Sequence, residues 1–158
     1  MTPQIPGFDL HDVSQAAGRL RVATGGAGPP VLLLHGFPQT HLAWRAVAPL
    51  LAERFRVVCP DLPGYGASAP APGYAKRTTA ATMVALMREL GHERFAVVGH
   101  DRGALVAFRA ALDHPGAVER VAVLDVVPTT DMWAALQGTG GVPSTSTCSP
   151  TPPTSRSG

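Results

Sequence analysis

Charge is scarce in this sequence. Asp, Glu, Lys and Arg make up 15% of 158 residues, the formal net charge is +2, and the basic residues are scattered. No basic stripe is present to neutralise a phosphate backbone or an anionic membrane surface, so neither nucleic acid nor membrane is an expected partner. Long apolar runs are lacking too. The longest, such as Met83 to Met87 and Ala104 to Phe108, are far shorter than the roughly 20 residues that cross a bilayer. The N-terminus, Met1-Thr2-Pro3-Gln4-Ile5-Pro6, has neither a basic n-region nor an apolar h-region, so no signal peptide is expected. Cysteine is nearly missing: Cys59 ends an apolar stretch and Cys148 lies in a polar one. The two form no metal-ligand spacing and no obvious disulfide pair, which excludes a metal from the expected site and fits a reducing cytoplasm.

What is present is enough for a core. Hydrophobic residues make up 45% of the chain. Its length suggests a single domain, and a domain of this size buries roughly 68–70% of its unfolded surface. Phe8 to Ser14 and Arg19 to Ala23 are expected to form a hairpin around Ala16-Ala17-Gly18. "VLLL" (Val31 to Leu34), "FRVVCPD" (Phe55 to Asp61), "RFAVVGH" (Arg94 to His100) and "RVAVLD" (Arg120 to Asp125) read as strands, apolar on both faces as in a parallel sheet. Between them lie helical patterns. In one, Trp44, Val47, Leu50 and Leu51 share a face, with Pro49 confined to a first turn. Another runs from Thr79 to Leu90 and stops at Gly91, and a third from Gly103 to Leu112. Strand and helix alternate at βαβ spacing, so the fold class is α/β with a mostly parallel sheet and flanking helices. Ligands bind outside the carboxyl ends of such strands. The loops there begin at His35, Asp61, His100 and Asp125, each a polar residue. From Gln137 to Gly158 nearly every residue is Gly, Ser, Thr or Pro. Such a segment cannot offset its ordering entropy by burial. The expected division is therefore a folded part, residues 1–136, and a disordered tail, residues 137–158.

One turn carries the chemistry. In "VVGHDRG" (Val97 to Gly103) a strand enters G-x-D-x-G and a helix follows. This is the pattern of a nucleophile elbow, with the reactive residue on a sharp turn, small neighbours that let strand and helix pack closely, and a helix N-terminus aimed at developing negative charge. The alternative for Asp101 is an aspartate that only stabilises a turn.

Four segments, "HGFPQTHLAWR" (35–45), "DLPGYGAS" (61–68), "GHDRGALVAFR" (99–109) and "VAVLDVVPT" (121–129), occur in order, each at or after a strand end. Together they resemble the α/β-hydrolase fold family, in its aspartate-nucleophile branch of haloacetate (fluoroacetate) dehalogenases, haloalkane dehalogenases and epoxide hydrolases. The resemblance runs from about Phe8 to Leu136. It implies a hydrolase acting on a small-molecule substrate without a cofactor, in which Asp101 attacks carbon to form an ester that a histidine-activated water then cleaves. It implies backbone N–H groups of Phe37 and Arg102 as the oxyanion hole. It also gives the Arg102 side chain a grip on a substrate carboxylate, the alternative being an exposed charge on a helix's first turn. Dehalogenases of the haloacetate type have a second arginine three positions on, where this sequence has Leu105. Tryptophan is common at the Arg102 position in epoxide hydrolases, so "GHDRG" tilts toward a dehalogenase. Asp125 corresponds to the acid that orients the catalytic histidine; alternatively it caps the turn after its strand. His35 is expected to brace its loop, His100 to pack, and Asp61 to be structural. The Phe37 side chain alternatively reads as a core aromatic beside a turn, and Trp44 and Trp133 read as core or pocket-wall aromatics.

Parts of that pattern have no counterpart. The resemblance calls for a histidine after the last strand, yet the last one here is His114, just past the elbow helix. The cap domain that follows "VVPTTDMWAAL" and the last strands are not found, which leaves a sheet edge and apolar helix faces to be uncovered. The expectation is the N-terminal part of the fold, lacking turnover. Both a frameshift after Leu136 and a natural terminus fit the composition of the tail. Sequencing the coding DNA separates them: after a frameshift, another frame is expected to encode a cap and a later histidine.

Overall fold

The computed structural model describes residues 4–71 and 73–126. Trp133, Cys148 and the tail from Gln137 lie outside them. β1 (Asp9–Gln15) and β2 (Gly18–Gly25) form the expected hairpin, with Gln15 opposite Gly18. β2 runs antiparallel to β4 (Arg56–Pro60). β3 (Pro30–Leu34) pairs in parallel with both β4 and β5 (Phe95–His100), and β5 pairs in parallel with β6 (Val118–Leu124). The sheet order is β1-β2-β4-β3-β5-β6.

The central strand β3 shows why these segments are apolar throughout. Leu32 and Leu34 face one layer with Val58, Val97 and the helices α2 (Lys76–Glu89) and α3 (Arg102–Asp113). Val31 and Leu33 face the other, with Val57, Cys59, Trp44 and Ala48. A strand covered on both faces needs apolar side chains at every position. On α2, Met83, Leu86 and Met87 are fully buried, and Gly91 at φ 85° takes the left-handed conformation that ends the helix. α2 begins three residues before the expected Thr79.

The segment from 41 to 52 differs from expectation. It is not one helix with Trp44, Val47, Leu50 and Leu51 on a face. A 3-10 turn (His41–Trp44), capped by the Thr40 hydroxyl accepting from the Leu42 N–H, is followed by a separate short helix, α1 (Ala48–Ala52). Pro49 is the cause: it fits only the first turn of a helix, so α1 starts at Ala48 and loses phase with Trp44. Trp44 is buried, whereas Val47 and Leu50 are exposed.

Among the described residues β6 is an edge of the sheet. Only Val118 on it is buried, while Val121 and Leu124 are 44% and 45% exposed. The uncovered sheet edge expected from the sequence is this one. No described helix is long and apolar enough to cross a membrane.

These positions make a sharp comparison. Leu86→Ala, at a site with no exposure, is expected to cost about 2–5 kcal/mol in urea unfolding. Leu50→Ala, at a site 67% exposed, is expected to change stability by no more than about 0.5 kcal/mol.

Candidate active site

β4, β3, β5 and β6 run parallel, so their carboxyl ends line one edge of the sheet. In that order they deliver Asp61, His35, His100 and Asp125. The chain leaves β3 toward β4 on one side and returns to β5 on the other. The crevice between the ends of β3 and β5 is thus a topological switch point, where α/β sheets place their ligands. Two loops meet there, Gly36 to Gln39 after β3 and the turn at Asp101 after β5.

The turn is sharp. Asp101 sits at φ 48°, ψ −116°, a conformation that costs a side-chain-bearing residue on the order of 1–3 kcal/mol. Its neighbours show what holds it. A methyl on Gly99 would strike the carbonyl of Gly103, and one on Gly103 would strike the carbonyls of Leu34 and His35. Strand β5, helix α3 and the end of β3 therefore touch backbone to backbone. Gly36 completes the contact, since a Cβ there would lie 2.7 Å from the Asp101 Cβ and 2.8 Å from its Oδ2.

This closeness places the Phe37 N–H 2.8 Å from Asp101 Oδ2, donating to it. That bond is the main cause that holds the Asp101 carboxyl below its usual range; partial burial opposes it, and the Arg102 backbone N–H and the nearby His100 and Arg102 charges help. The carboxylate is ionised, with Oδ2 held by backbone. The Phe37 ring is mostly exposed and so is not a core aromatic. The Arg102 guanidinium lies over it, 4.9 Å from the centroid, and donates to the Tyr65 hydroxyl at 3.2 Å. Arg102 is exposed, as one of its two readings has it, but its head group is fixed beside the elbow.

His35 braces its loop as expected. Its Nε2 accepts from the Leu62 N–H at 2.9 Å and its Nδ1 lies 2.9 Å from the Gly36 carbonyl, tying the ends of β3 and β4 together. Burial pushes its pKa down. Asp61 is buried with both oxygens engaged. Oδ1 accepts from the His41 N–H and faces His41 Nδ1, each at 2.7 Å, and Oδ2 accepts from the Ala67 N–H at 3.0 Å. Burial alone would raise the Asp61 pKa; these bonds outweigh it and hold the carboxyl below its usual range.

Asp125 leaves β6 at φ 55°, with its side chain 84% exposed. Its Oδ2 lies 3.6 Å from His100 Nε2, so His100 stands between the two candidate acids rather than only packing. Sequence reasoning missed Gln39. Its Oε1 accepts from the Gly36 N–H at 3.0 Å and lies 3.1 Å from His100 Nδ1, linking the loop after β3 to the end of β5. The only signal was a polar residue after "HGFP", and nothing in its spacing reveals a partner 61 residues away. Gln39 and His100 also line a cleft of about 190 Å³ with Trp44, Val47 and Leu124, which makes Trp44 both core and pocket wall. His114 caps the far end of α3, about 18 Å along the helix from the elbow, and cannot reach it. Among the described residues no three His, Cys, Asp or Glu side chains gather to hold a metal.

Asp61 sets a pH dependence. Its folded pKa is lowered, so its contribution to stability is complete above the ordinary value of 3.8 and is lost as pH falls below it. Urea midpoints between about pH 6 and about pH 3 are expected to drop more for the natural chain than for Asp61→Asn, which lacks this proton uptake.

A family model described as the alpha/beta hydrolase fold matches residues 29–141. The chain is 47% identical to a fluoroacetate dehalogenase of a Burkholderia species, over 80% of this chain and 44% of that protein. It is 46% identical to a soluble epoxide hydrolase of Corynebacterium strain C12, over 70% of this chain and 39% of that protein. Among solved structures, a provisionally named epoxide hydrolase of Pseudomonas aeruginosa superposes with a TM-score of 0.80 at 53% identity, over 85% of this chain and 47% of that one. The chain thus spans less than half the length of each of these relatives. With a mostly parallel sheet, an elbow at the switch point and this match across most of its described residues, the chain belongs to the alpha/beta hydrolase fold family.

Proposed function

We propose that this chain carries the nucleophilic half of a carbon–halogen hydrolase that works through an aspartyl ester. The single observation behind the reading is the Asp101 carboxylate, ionised, with Oδ2 bound by the Phe37 N–H at 2.8 Å. In the first step Asp101 Oδ1 attacks the carbon bearing the halide. The C–O bond forms as the carbon–halogen bond breaks, and halide leaves with the bonding pair. Oδ2 becomes the ester carbonyl oxygen, still facing its donor. In the second step a base takes a proton from water as its oxygen adds to the ester carbon, and the negative charge that develops on Oδ2 meets the N–H groups of Phe37 and Arg102; collapse then breaks the Cγ–Oδ1 bond, Oδ1 leaves with the returned proton in the alcohol product, and the water oxygen stays in the Asp101 carboxylate. Such a donor is typically worth about 10²–10³ in rate. Asp125, paired with His100 here, takes the part of an acid that orients a base. No histidine of the 158 residues beyond His114 is available as that base, so this polypeptide alone is proposed to stop at the ester.

A second reading has support from the 46% identity to a soluble epoxide hydrolase. The same Asp101 oxygen would then open an epoxide, leaving a hydroxyalkyl ester.

Mass spectrometry separates the two. Incubation with chloroacetate is expected to add one carboxymethyl group to the peptide containing Asp101, with no further chloride released once that site is full. A neutral epoxide is expected to add nothing. Adduct from the epoxide alone favours the second reading, and continuous chloride release would show turnover. Asp101→Asn is expected to abolish the adduct. Cys59 is no competitor, because burial pushes its thiol pKa far above the usual range.

A further inference from the structure

The cleft of about 190 Å³ takes no part in the steps proposed for Asp101, yet its wall has a definite chemistry. It is lined by Gln39, Ala43, Trp44, Val47, His100 and Leu124. His100 and Leu124 are register partners on β5 and β6, so their side chains leave the same face of the sheet. That is the face of Val98, two residues before His100, which packs in the layer holding Trp44. No Lys, Arg, Asp or Glu lines the cleft. Two hydrogen-bond donors on its wall are unused. Trp44 is only 6% exposed, and its buried Nε1–H has no partner. Gln39 commits its Oε1 to the Gly36 N–H and His100 Nδ1, while its Nε2 has no partner among the described residues. A buried donor without an acceptor is unfavourable, and folded proteins pair nearly all of theirs. An apolar wall with unpaired donors and no charge favours a neutral ligand that brings an acceptor.

We propose that this cleft binds a small neutral molecule consisting of one apolar six-membered ring with a single acceptor oxygen, a cyclic ketone being the simplest case. A cavity of about 150 Å³ admits a benzene ring, so this cleft has room for one ring and its oxygen but not for a second ring. The ring buries its faces against Ala43, Val47, Leu124 and the Trp44 indole, as ligands do in mostly apolar pockets. The oxygen accepts from the Trp44 N–H, and the Gln39 amide is the second donor on the wall. A carboxylate is rejected, because no cation of the lining offsets its loss of water. Asp101 does not line the cleft, so binding does not rest on its role as a nucleophile. The two are neighbours all the same. The Asp101 N–H donates to the Leu124 carbonyl at 3.0 Å, and an occupant therefore packs against a residue that holds the elbow.

Cyclohexanone tests the binding. The chain has two tryptophans, Trp44 and Trp133, so its NMR spectrum has two indole N–H signals, and Trp44→Phe identifies the one from Trp44. Titration of the full chain is expected to shift the Trp44 signal saturably, with a Kd on the order of 1 mM, as suits a ligand of so few atoms. Benzene, a ring without the acceptor oxygen, is expected to bind about threefold or more weakly, and cyclohexanecarboxylate not at all. Trp44→Phe is expected to weaken cyclohexanone about threefold to tenfold, as loss of one hydrogen bond does. Val47→Asp places a charge on the wall and is expected to abolish binding. Val47 is 44% exposed and is the N-cap of α1, a position that aspartate favours, so this variant retains the fold. A Trp44 signal that does not shift saturably overturns the proposal. So does benzene or cyclohexanecarboxylate binding as tightly as cyclohexanone, or full affinity in Val47→Asp.

Discussion

The structure turns on one close approach, where the backbones of β5, α3 and the end of β3 meet with no side chain between them. Gly99 lies against the Gly103 backbone, and Gly103 against the carbonyls of Leu34 and His35. Only glycine permits these contacts, and the strained Asp101 backbone follows from them. The contact fixes the direction of α3, and through it the amphipathic packing of α3 on α2. It also brings the loop after β3 within hydrogen-bond range of the elbow. Without it the Phe37 N–H would have no carboxylate to face. Fold and site therefore share one constraint.

Two carboxylates at neighbouring strand ends show how environment assigns a role. Asp61 is buried and uses both oxygens to hold His41 and Ala67 in place. Its hydrogen-bonding capacity is spent within the protein, and that makes it a fastener between loops. Asp101 commits Oδ2 to the Phe37 N–H, and no hydrogen bond to a protein group engages its Oδ1 among the described residues. Both carboxyls are held below their usual range, so lowered pKa does not distinguish them. What distinguishes them is burial: Asp61 is 1% exposed, whereas Asp101 is only partly buried.

Much of this was legible in the sequence because it is local. Period and composition gave the strands, and spacing gave the elbow, since G-x-D-x-G records contacts that any side chain would break. The His35 brace and the Asp61 anchor followed from their places at strand ends. What was not legible depends on distance or on phase. The helix expected around Trp44 and Leu50 failed because Pro49 resets the phase, and apolar spacing alone does not record where a helix starts. Gln39 was missed because its partner His100 comes from another strand. The roles assigned to Asp125 and to the Arg102 side chain belong to the proposals, because the geometry gives them neighbours but no substrate.

The arrangement also divides the chemistry. The Asp101 carboxylate and its backbone donor, the Phe37 N–H, lie on the loops that leave β5 and β3. Those loops leave two paired central strands, and β3 is buried at every position after Pro30. Asp125 is placed differently: it follows the edge strand β6, exposed, with its Oδ2 3.6 Å from His100 Nε2. A nucleophile must be held rigidly at a single attack geometry, and a buried backbone contact does that. On the aspartyl-ester reading proposed above, the split between a rigid centre and an open edge would also separate forming the ester from releasing it.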